Sequence, residues 1–355
     1  MSFKKIAVLG LGKVGTLAAT LLHEAGFDVT AFDARTVKQE LPFKTNVCDF
    51  SDLDQIEKTL EPFEALLSCL PYHLNLKVAQ TAHAQGMHYF DLTEDVPTTK
   101  AILELSKTAK GVMAPQCGLA PGFIGIVGAH LAEQFDTVRA IKLRVGALPQ
   151  HPTGDLGYAF NWSPEGVVNE YLNDCEVIEG NEIKMVSPME WLETIYINGM
   201  QLEAFTTSGG LGTMCETYKG RVENLDYKSM RYPGHAKLMN FFFHDLLMRE
   251  DREKAGEILT NAKPPVDEDV VYIHASAEGL VNDKLQRKEF VNAYYPIEVA
   301  GQMRTAIAWT TSASVVAVIE MVRDGLLPNQ GFIKQEDIPL DAFMKTEHGA
   351  LYQKD

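Results

Sequence analysis

The chain is short of basic charge. Its 355 residues hold 32 Lys and Arg against 48 Asp and Glu, a net charge of −16, and no Lys/Arg run interrupts that deficit. A phosphate backbone repels such a surface unless a local basic stripe offsets it, so nucleic acid is disfavoured as a partner. Cysteine is scarce too: Cys48, Cys69, Cys117, Cys175 and Cys215 are odd in number, widely spaced and without a C-x-x-C pair. Neither a disulfide framework nor a zinc knuckle follows, and no His/Asp/Glu spacing suggests a metal site. The thiols fit a reducing cytoplasm. No apolar stretch reaches the roughly 18 residues of a membrane span, and the N-terminus enters a strand-like run without a cleavable signal. These absences lead us to expect a soluble cytoplasmic protein with no membrane partner.

What is present is ordinary globular composition, 46% hydrophobic and 23% charged, at a length that suits two domains. Short β-branched or apolar runs at 6–10, 29–33, 43–47, 65–70, 88–92 and 112–115 alternate with amphipathic segments at 13–25, 53–60, 74–85 and 100–110. That alternation predicts an α/β domain, a doubly wound parallel sheet of Rossmann type. Residues 122–135 read as one more helix. The texture then changes. Residues 138–146, 270–276 and 290–297 alternate with period two, which suits an antiparallel or mixed sheet in a second α/β domain. Residues 302–323 form a long helical pattern stopped by Gly325 and Pro328.

Gly10-Leu11-Gly12-Lys13-Val14-Gly15 follows the first strand and opens the first helix. Gly10 permits the turn, Gly12 lets a pyrophosphate approach the backbone, Gly15 lets helix pack on strand, and the helix N-terminus presents N–H groups through Lys13 and Val14. Asp33, 18 residues past Gly15, is placed to bind both ribose hydroxyls, which argues for NAD and against the 2′-phosphate of NADP. Arg35 keeps NADP open, because it can pair with that phosphate or lie across the adenine. Asp49 either contacts the adenine edge or caps a helix. Cys69, Leu70 and Pro71 end the fourth strand, where the sheet's carboxyl edge meets the nicotinamide half.

At Leu70-Pro71-Tyr72-His73-Leu74-Asn75, Cys117-Gly118-Leu119-Ala120-Pro121-Gly122 and Gly146-Ala147-Leu148-Pro149-Gln150-His151-Pro152 the sequence resembles the saccharopine dehydrogenase family. The resemblance continues through Leu202-Glu203-Ala204-Phe205, Thr207-Ser208-Gly209-Gly210 and Arg231-Tyr232-Pro233-Gly234-His235, so it covers most of the chain. It implies a Rossmann domain at 1–122, an inserted substrate and dimerisation domain at 123–300, and a segment at 301–355 that returns to the first domain. It also implies a homo-oligomer, dimeric or larger, and places Gly118 beside the cofactor. Members acting on saccharopine typically carry Asp, Cys and Tyr where this chain has Ala120, Val145 and Glu94, and an Arg that is replaced near Thr207. The lysine 6-dehydrogenase branch is similar to this chain in G-L-A-P-G and L-P-Q-H-P.

That branch implies NAD-dependent oxidation at the ε-amine of L-lysine to 2-aminoadipate 6-semialdehyde. The alternatives are saccharopine oxidation with release of glutamate, a carboxynorspermidine-type reduction, or an NAD-binding sensor without turnover. The oxidation needs a base near the nicotinamide and a cation for the α-carboxylate. Glu94 and Asp91 are candidates to deprotonate or bind the amine, with loop capping as their other role. His151 is a candidate acid or base, or an exposed loop histidine. Tyr72 is either part of the chemistry or packing beside the cofactor. Arg231 is the candidate carboxylate clamp, with an internal salt bridge as its alternative, and His235 is a weaker substrate contact. Trp162 reads as core rather than substrate wall. Residues 1–120 carry 11 basic and 14 acidic side chains, so most of the acidity falls in the later part, which suits a cationic substrate.

Overall fold

The computed structural model describes residues 3–353, apart from the side chains of residues 53 and 54. The chain divides into two compact units: residues 1–123, 300–302 and 308–355, and residues 124–299 with 303–307.

The first unit opens with β1 (Lys5–Leu9), α1 (Lys13–Glu24), β2 (Asp28–Asp33), β3 (Lys44–Val47), α2 (Leu53–Leu60), β4 (Ala65–Ser68), α3 (Tyr72–Gln85), β5 (His88–Asp91), α4 (Val96–Ser106) and β6 (Val112–Ala114). All its strand pairs are parallel, in the order β6-β5-β4-β1-β2-β3. The central strands read as apolar runs because helices cover both faces; Ala65–Ser68 is buried at every position, whereas Lys44–Val47 at the edge is exposed throughout. The order reverses at β1, so the crevice between the carboxyl ends of β1 and β4 is the topological switch point. The expected fourth strand, 65–70, overran by two residues. The fourth stops at Ser68 because Leu70 and Pro71 already turn into α3, and α3 starts at Tyr72.

The second unit takes α5 (Phe123–Ala132, from Ile124 on), β7 (Thr137–Pro149), α6 (Pro164–Leu172), β8 (Cys175–Glu179), β9 (Glu182–Val186), β10 (Glu193–Ile197), β11 (Met200–Thr206), α7 (Met214–Tyr218), β12 (Asn224–Arg231), α8 (His235–Asn240), α9 (Arg252–Ala262), β13 (Asp269–Val281), β14 (Lys284–Tyr294) and β15 (Ile297–Val299). Its sheet runs β10-β11-β12-β7-β13-β14, with β8 and β9 attached through β12. Among the described residues only β12 and β7 of this sheet pair in parallel, so this is the mixed sheet that the period-two runs suggest. One core gathers Leu148, Phe160, Tyr171, Phe205, Met230 and Tyr272. The stretch 270–276 underestimates β13, while 290–297 catches only the end of β14 and runs past Tyr294 to the start of β15. Asn282 and Asp283 both adopt left-handed conformations, φ 50° and 58°, and turn β13 into β14 in two residues, pairing Val281 with Lys284.

A short β16 (Gln302–Arg304) precedes α10 (Ala306–Arg323), followed by β17 (Gly331–Phe332) and α11 (Leu340–Phe343). The helix expected from residue 302 starts four residues late for an electrostatic reason. The buried Asp269 carboxylate accepts the Ala306 and Ile307 N–H groups at 2.6 and 3.0 Å, capping the helix there. With a mean hydropathy of 1.3 over 18 residues, α10 is long and apolar enough to cross a membrane, which corrects the expectation of no such run; 89% of it is buried in the protein, as in a core helix. β17 adds a seventh strand beside β6, parallel to it. Trp162 is half-buried against the second unit's core and donates to the Tyr158 hydroxyl at 3.2 Å.

Removing the cap tests its weight. Asp269→Ala removes the carboxylate that accepts two helix N–H groups and should lower stability by about 2 kcal/mol, while Asp269→Asn should recover part of it; denaturant midpoints of the full chain measure both.

Candidate functional site

The turn after β1 is built by three glycines with different duties. Gly10 has φ +88°, and a Cβ there would stand 2.8 Å from the Cys69 carbonyl oxygen. A Cβ on Gly15 would lie 1.9 Å from the Gly10 carbonyl oxygen, so only glycine lets α1 cross so closely. Above Gly12, by contrast, nothing lies within 4 Å of the Cβ position. That open cradle sits at the N-cap of α1, which has no side-chain cap and no acid in its first turn. Exposed Lys13 and half-buried Val14 begin the helix. Free N–H groups, a positive dipole end and open space above a glycine fit a pyrophosphate.

Asp33 is tied to this turn. Its Oδ2 accepts the Leu11 N–H at 2.8 Å and its Oδ1 accepts the Arg35 N–H at 2.9 Å. The carboxylate is thereby aimed at the rim of the cradle, with lone pairs left for ribose hydroxyls. The Arg35 side chain is 91% exposed, and its Nε stands 3.8 Å from Asp33 Oδ1. Asp49 is exposed and accepts from the Ser51 backbone and hydroxyl at 2.9 and 2.7 Å. Those bonds hold its carboxyl below the usual range. The helix cap is a different residue, Asp52, which accepts the Gln55 N–H at 3.2 Å.

At the end of β4 the Cys69 N–H bonds the Leu9 carbonyl at 2.8 Å, Leu70 is half-buried and Pro71 is exposed at the N-cap of α3. Tyr72 is half-buried, its ring 5.8 Å from that of exposed His73. Gly118 is buried, and its carbonyl accepts the Phe123 N–H at 2.9 Å. For Asp91 the geometry corrects the substrate-binding expectation. Its carboxylate is fully enclosed and already accepts the Tyr89 hydroxyl at 2.7 Å and the Thr93 and Gln116 N–H groups at 2.9 Å each. Burial pushes this carboxyl up to about 6 against those bonds. Asp91 thus locks the end of β5 to the segment after β6. Capping of α4 belongs to Asp95, which accepts the Thr98 N–H at 3.0 Å, and half-buried Glu94 stands between these two acids.

In the second unit the side chain of Arg231 is 3% exposed at the end of β12. Its Nε donates to the Tyr171 hydroxyl at 2.7 Å and its Nη1 to the Met230 carbonyl at 2.8 Å, while the guanidinium lies over the Tyr158 ring at 4.7 Å. No carboxylate pairs with it among the described residues, so the internal salt bridge is not what holds it. Burial works against its charge, but Tyr171, Tyr158 and Glu170 outweigh it and the guanidinium stays protonated. His235 is corrected from substrate contact to support. Its Nδ1 bonds the Leu156 carbonyl at 3.0 Å, so that nitrogen carries the proton, and Nε2 accepts the Tyr171 hydroxyl at 3.0 Å. A directed chain results: Arg231 donates to Tyr171, Tyr171 to His235, His235 to Leu156. Sequence reasoning missed Tyr171, which sits on α6 with nothing local to mark it. It missed Glu203 too, whose carboxylate accepts the Gly234 and Ala236 N–H groups at 2.8 and 2.6 Å and fixes the turn after Arg231.

His151 is 79% exposed beyond β7, with Nε2 3.6 Å from Glu268, the arrangement of an exposed loop histidine. The Gly-rich stretch after β11 is a buried loop in which a Cβ on Gly210 would strike the Tyr227 ring at 2.2 Å. Spacing suggests no metal site, yet the fold brings Glu320, Glu347 and His348 together, their ligand atoms within 4.8 Å of one another. There His348 Nδ1 and Glu320 bond at 2.8 Å and tie the C-terminal segment to α10.

The relay has a pH signature. Burial, then Arg231, pushes the His235 imidazole down to about 3, below its unfolded value near 6.5. The unfolded chain binds that proton first, so this contribution to stability is complete above pH 6.5 and is lost as pH falls toward 3. Between pH 7.5 and 5 it amounts to about 2 kcal/mol. Urea titrations should show that loss in the native protein and a smaller one in His235→Asn.

Two family models match the chain: the saccharopine dehydrogenase NADP binding domain over residues 6–114 and the saccharopine dehydrogenase C-terminal domain over residues 118–347. Among curated proteins, the mitochondrial alpha-aminoadipic semialdehyde synthase of Mus musculus is 24% identical over 261 residues, 67% of this chain and 28% of that protein. Saccharopine dehydrogenase [NADP(+), L-glutamate-forming] of Pyricularia oryzae is 22% identical over 207 residues, 55% of this chain and 46% of that one. The chain therefore spans less than half the length of these relatives. Among solved structures, apo saccharopine dehydrogenase (L-Glu forming) from Saccharomyces cerevisiae superposes with a TM-score of 0.75 at 15% identity, covering 99% of this chain and 98% of that one. The DAP dehydrogenase of C. glutamicum in complex with DAP gives 0.52 at 13% identity, over the whole of both chains. These two likenesses speak to the fold alone, while the two family models between them cover nearly the whole sequence: the chain belongs to the saccharopine dehydrogenase family.

Proposed function

We propose that this protein is an NAD-dependent amino-acid dehydrogenase that oxidises the ε-carbon of L-lysine. The observation that carries the substrate is Arg231, a buried guanidinium with no acidic partner within ion-pair distance among the described residues. One unpaired fork suits one α-carboxylate. Saccharopine brings three carboxylates, and the positions where its dehydrogenases typically hold polar groups here carry half-buried Ala120 and buried Val145, with buried Thr207, its hydroxyl bonded to Ser229 at 2.8 Å, near a third. Tyr171 and Tyr158 hold the guanidinium in place, so little side-chain entropy is lost when it engages a carboxylate.

When bound, the dinucleotide supplies the hydride acceptor. The chain's own work is to seat it on the α1 N-terminus, grip its ribose through Asp33, and remove a proton from the ε-ammonium. Glu94 is the candidate base; Tyr72 at the start of α3 and exposed His151 are the weaker candidates. Water then replaces the nitrogen, and the products are 2-aminoadipate 6-semialdehyde and ammonium. A second reading, oxidation of saccharopine with release of glutamate, is favoured by the names of the curated relatives. Those names also print NADP(+), whereas Asp33, with both oxygens already fixed at the ribose rim, supports NAD.

Lysine and saccharopine assayed separately by NADH absorbance decide the substrate: we expect turnover of lysine, and turnover of saccharopine alone would establish the second reading. Arg231→Lys keeps the charge but loses the fork, and should raise the KM for lysine about tenfold with the NAD affinity unchanged.

Asp33→Ala should shift the NAD-to-NADP preference toward NADP by about tenfold or more, read as the ratio of kcat/KM for the two dinucleotides. An unchanged ratio would assign the choice to Arg35.

A further inference from the structure

The second unit has a polar pocket that the proposed chemistry does not use. Pairing across β12, β7, β13 and β14 sets Lys142 beside Asp226 and Ser276, and Arg144 beside Lys228 and His274, all on one face of the sheet. Arg287 joins them through Glu278. Glu193, Thr194 and Ile195 of β10 complete the wall of a pocket of about 200 Å³ lined by Lys142, Arg144, His274 and Arg287. Four of its seven lining residues are basic or imidazole and one is acidic, in a protein of net charge −16.

The carboxylates of this face are already engaged. Glu193 holds Arg144 and Lys228, Asp226 holds Arg144 at 2.6 Å, and Glu289 holds Arg287 at 2.6 Å. Exposed Lys142 has no ion-pair partner among the described residues. One enclosed nitrogen, on His274, also lacks a partner, and Arg144 keeps donor capacity beside it. The Arg144 side chain is only 2% exposed, yet its bonds run through Nε and Nη1, leaving Nη2 unused. His274 Nδ1 is buried and makes no hydrogen bond. A buried polar atom without a partner is costly, and here one belongs to a residue lining a cavity that also holds a spare positive charge.

We infer that this pocket is a binding site for a small molecule bearing a carboxylate or phosphoryl group, seated against Arg144 and His274 and neutralised by Lys142. The ligand supplies the hydrogen bond that His274 lacks, and its charge balances the Lys142 ammonium. At this volume it takes a small metabolite rather than a nucleotide. The site is separate from Arg231, so it does not depend on the substrate assignment.

Calorimetric titration of the full-length chain, saturated with NAD so that the dinucleotide cradle is blocked, tests this with inorganic phosphate and with succinate at constant ionic strength. We expect saturable binding of one or both, weakened about fivefold or more in Lys142→Met and in Arg287→Met and unchanged in Lys219→Met, a surface control. Binding of phosphate alone identifies a phosphoryl ligand, and of succinate alone a carboxylate. Absence of saturable binding to the native protein, or equal binding by native protein and both pocket variants, overturns the proposal.

Discussion

The nucleotide-binding unit rests on one steric constraint, the passage of the Gly10 carbonyl beneath α1 where Gly15 has no side chain. A Cβ at Gly15 would overlap that oxygen at 1.9 Å, so any other residue pushes the helix off the strand. The same turn presses Gly10 against Cys69, which joins the ends of β1 and β4, and it leaves Gly12 facing open space. Asp33 then braces the loop through the Leu11 N–H from the end of β2. Helix start, strand spacing and the rim of the cradle are consequences of this single crossing.

Buried charge organises the rest. Asp91, Asp269 and Arg231 are each withdrawn from water, and each is satisfied in its own way. Asp91 accepts three donors and joins two strand ends. Asp269 accepts two backbone N–H groups and decides where a helix begins. Arg231 bonds neutral oxygens and lies over a tyrosine ring, with Glu170 acting on its charge but not within ion-pair distance among the described residues. That distinction separates carboxylates that hold the fold together from a cation that retains capacity for a ligand.

Much of the first unit was legible in the sequence because its signals are local. G-L-G-K-V-G between a strand and a helix, and an acid ending the second strand, specify their roles within a few tens of residues. Helix caps were less legible. Asp49, Asp52, Asp91, Glu94 and Asp95 are all acids near helix starts, and sequence cannot rank them; geometry makes Asp52 and Asp95 the caps and encloses Asp91. Tyr171 carried no signal and Glu203 stood in a resemblance motif without a role, since the partners that give them one lie 60 and 31 residues away.

By itself the sequence determined the alternation of strands and helices, the position of the dinucleotide turn and the resemblance to one family, because periodicity and glycine spacing act over short stretches of chain. Only the tertiary structure decided which of the charged residues are spent on the fold and which are left over. Whether Asp91 is enclosed, Arg231 unpaired, His235 neutral or His151 exposed depends on residues distant in sequence that arrive at the same place. The cost of burying a charge is set by those neighbours and not by the residue itself.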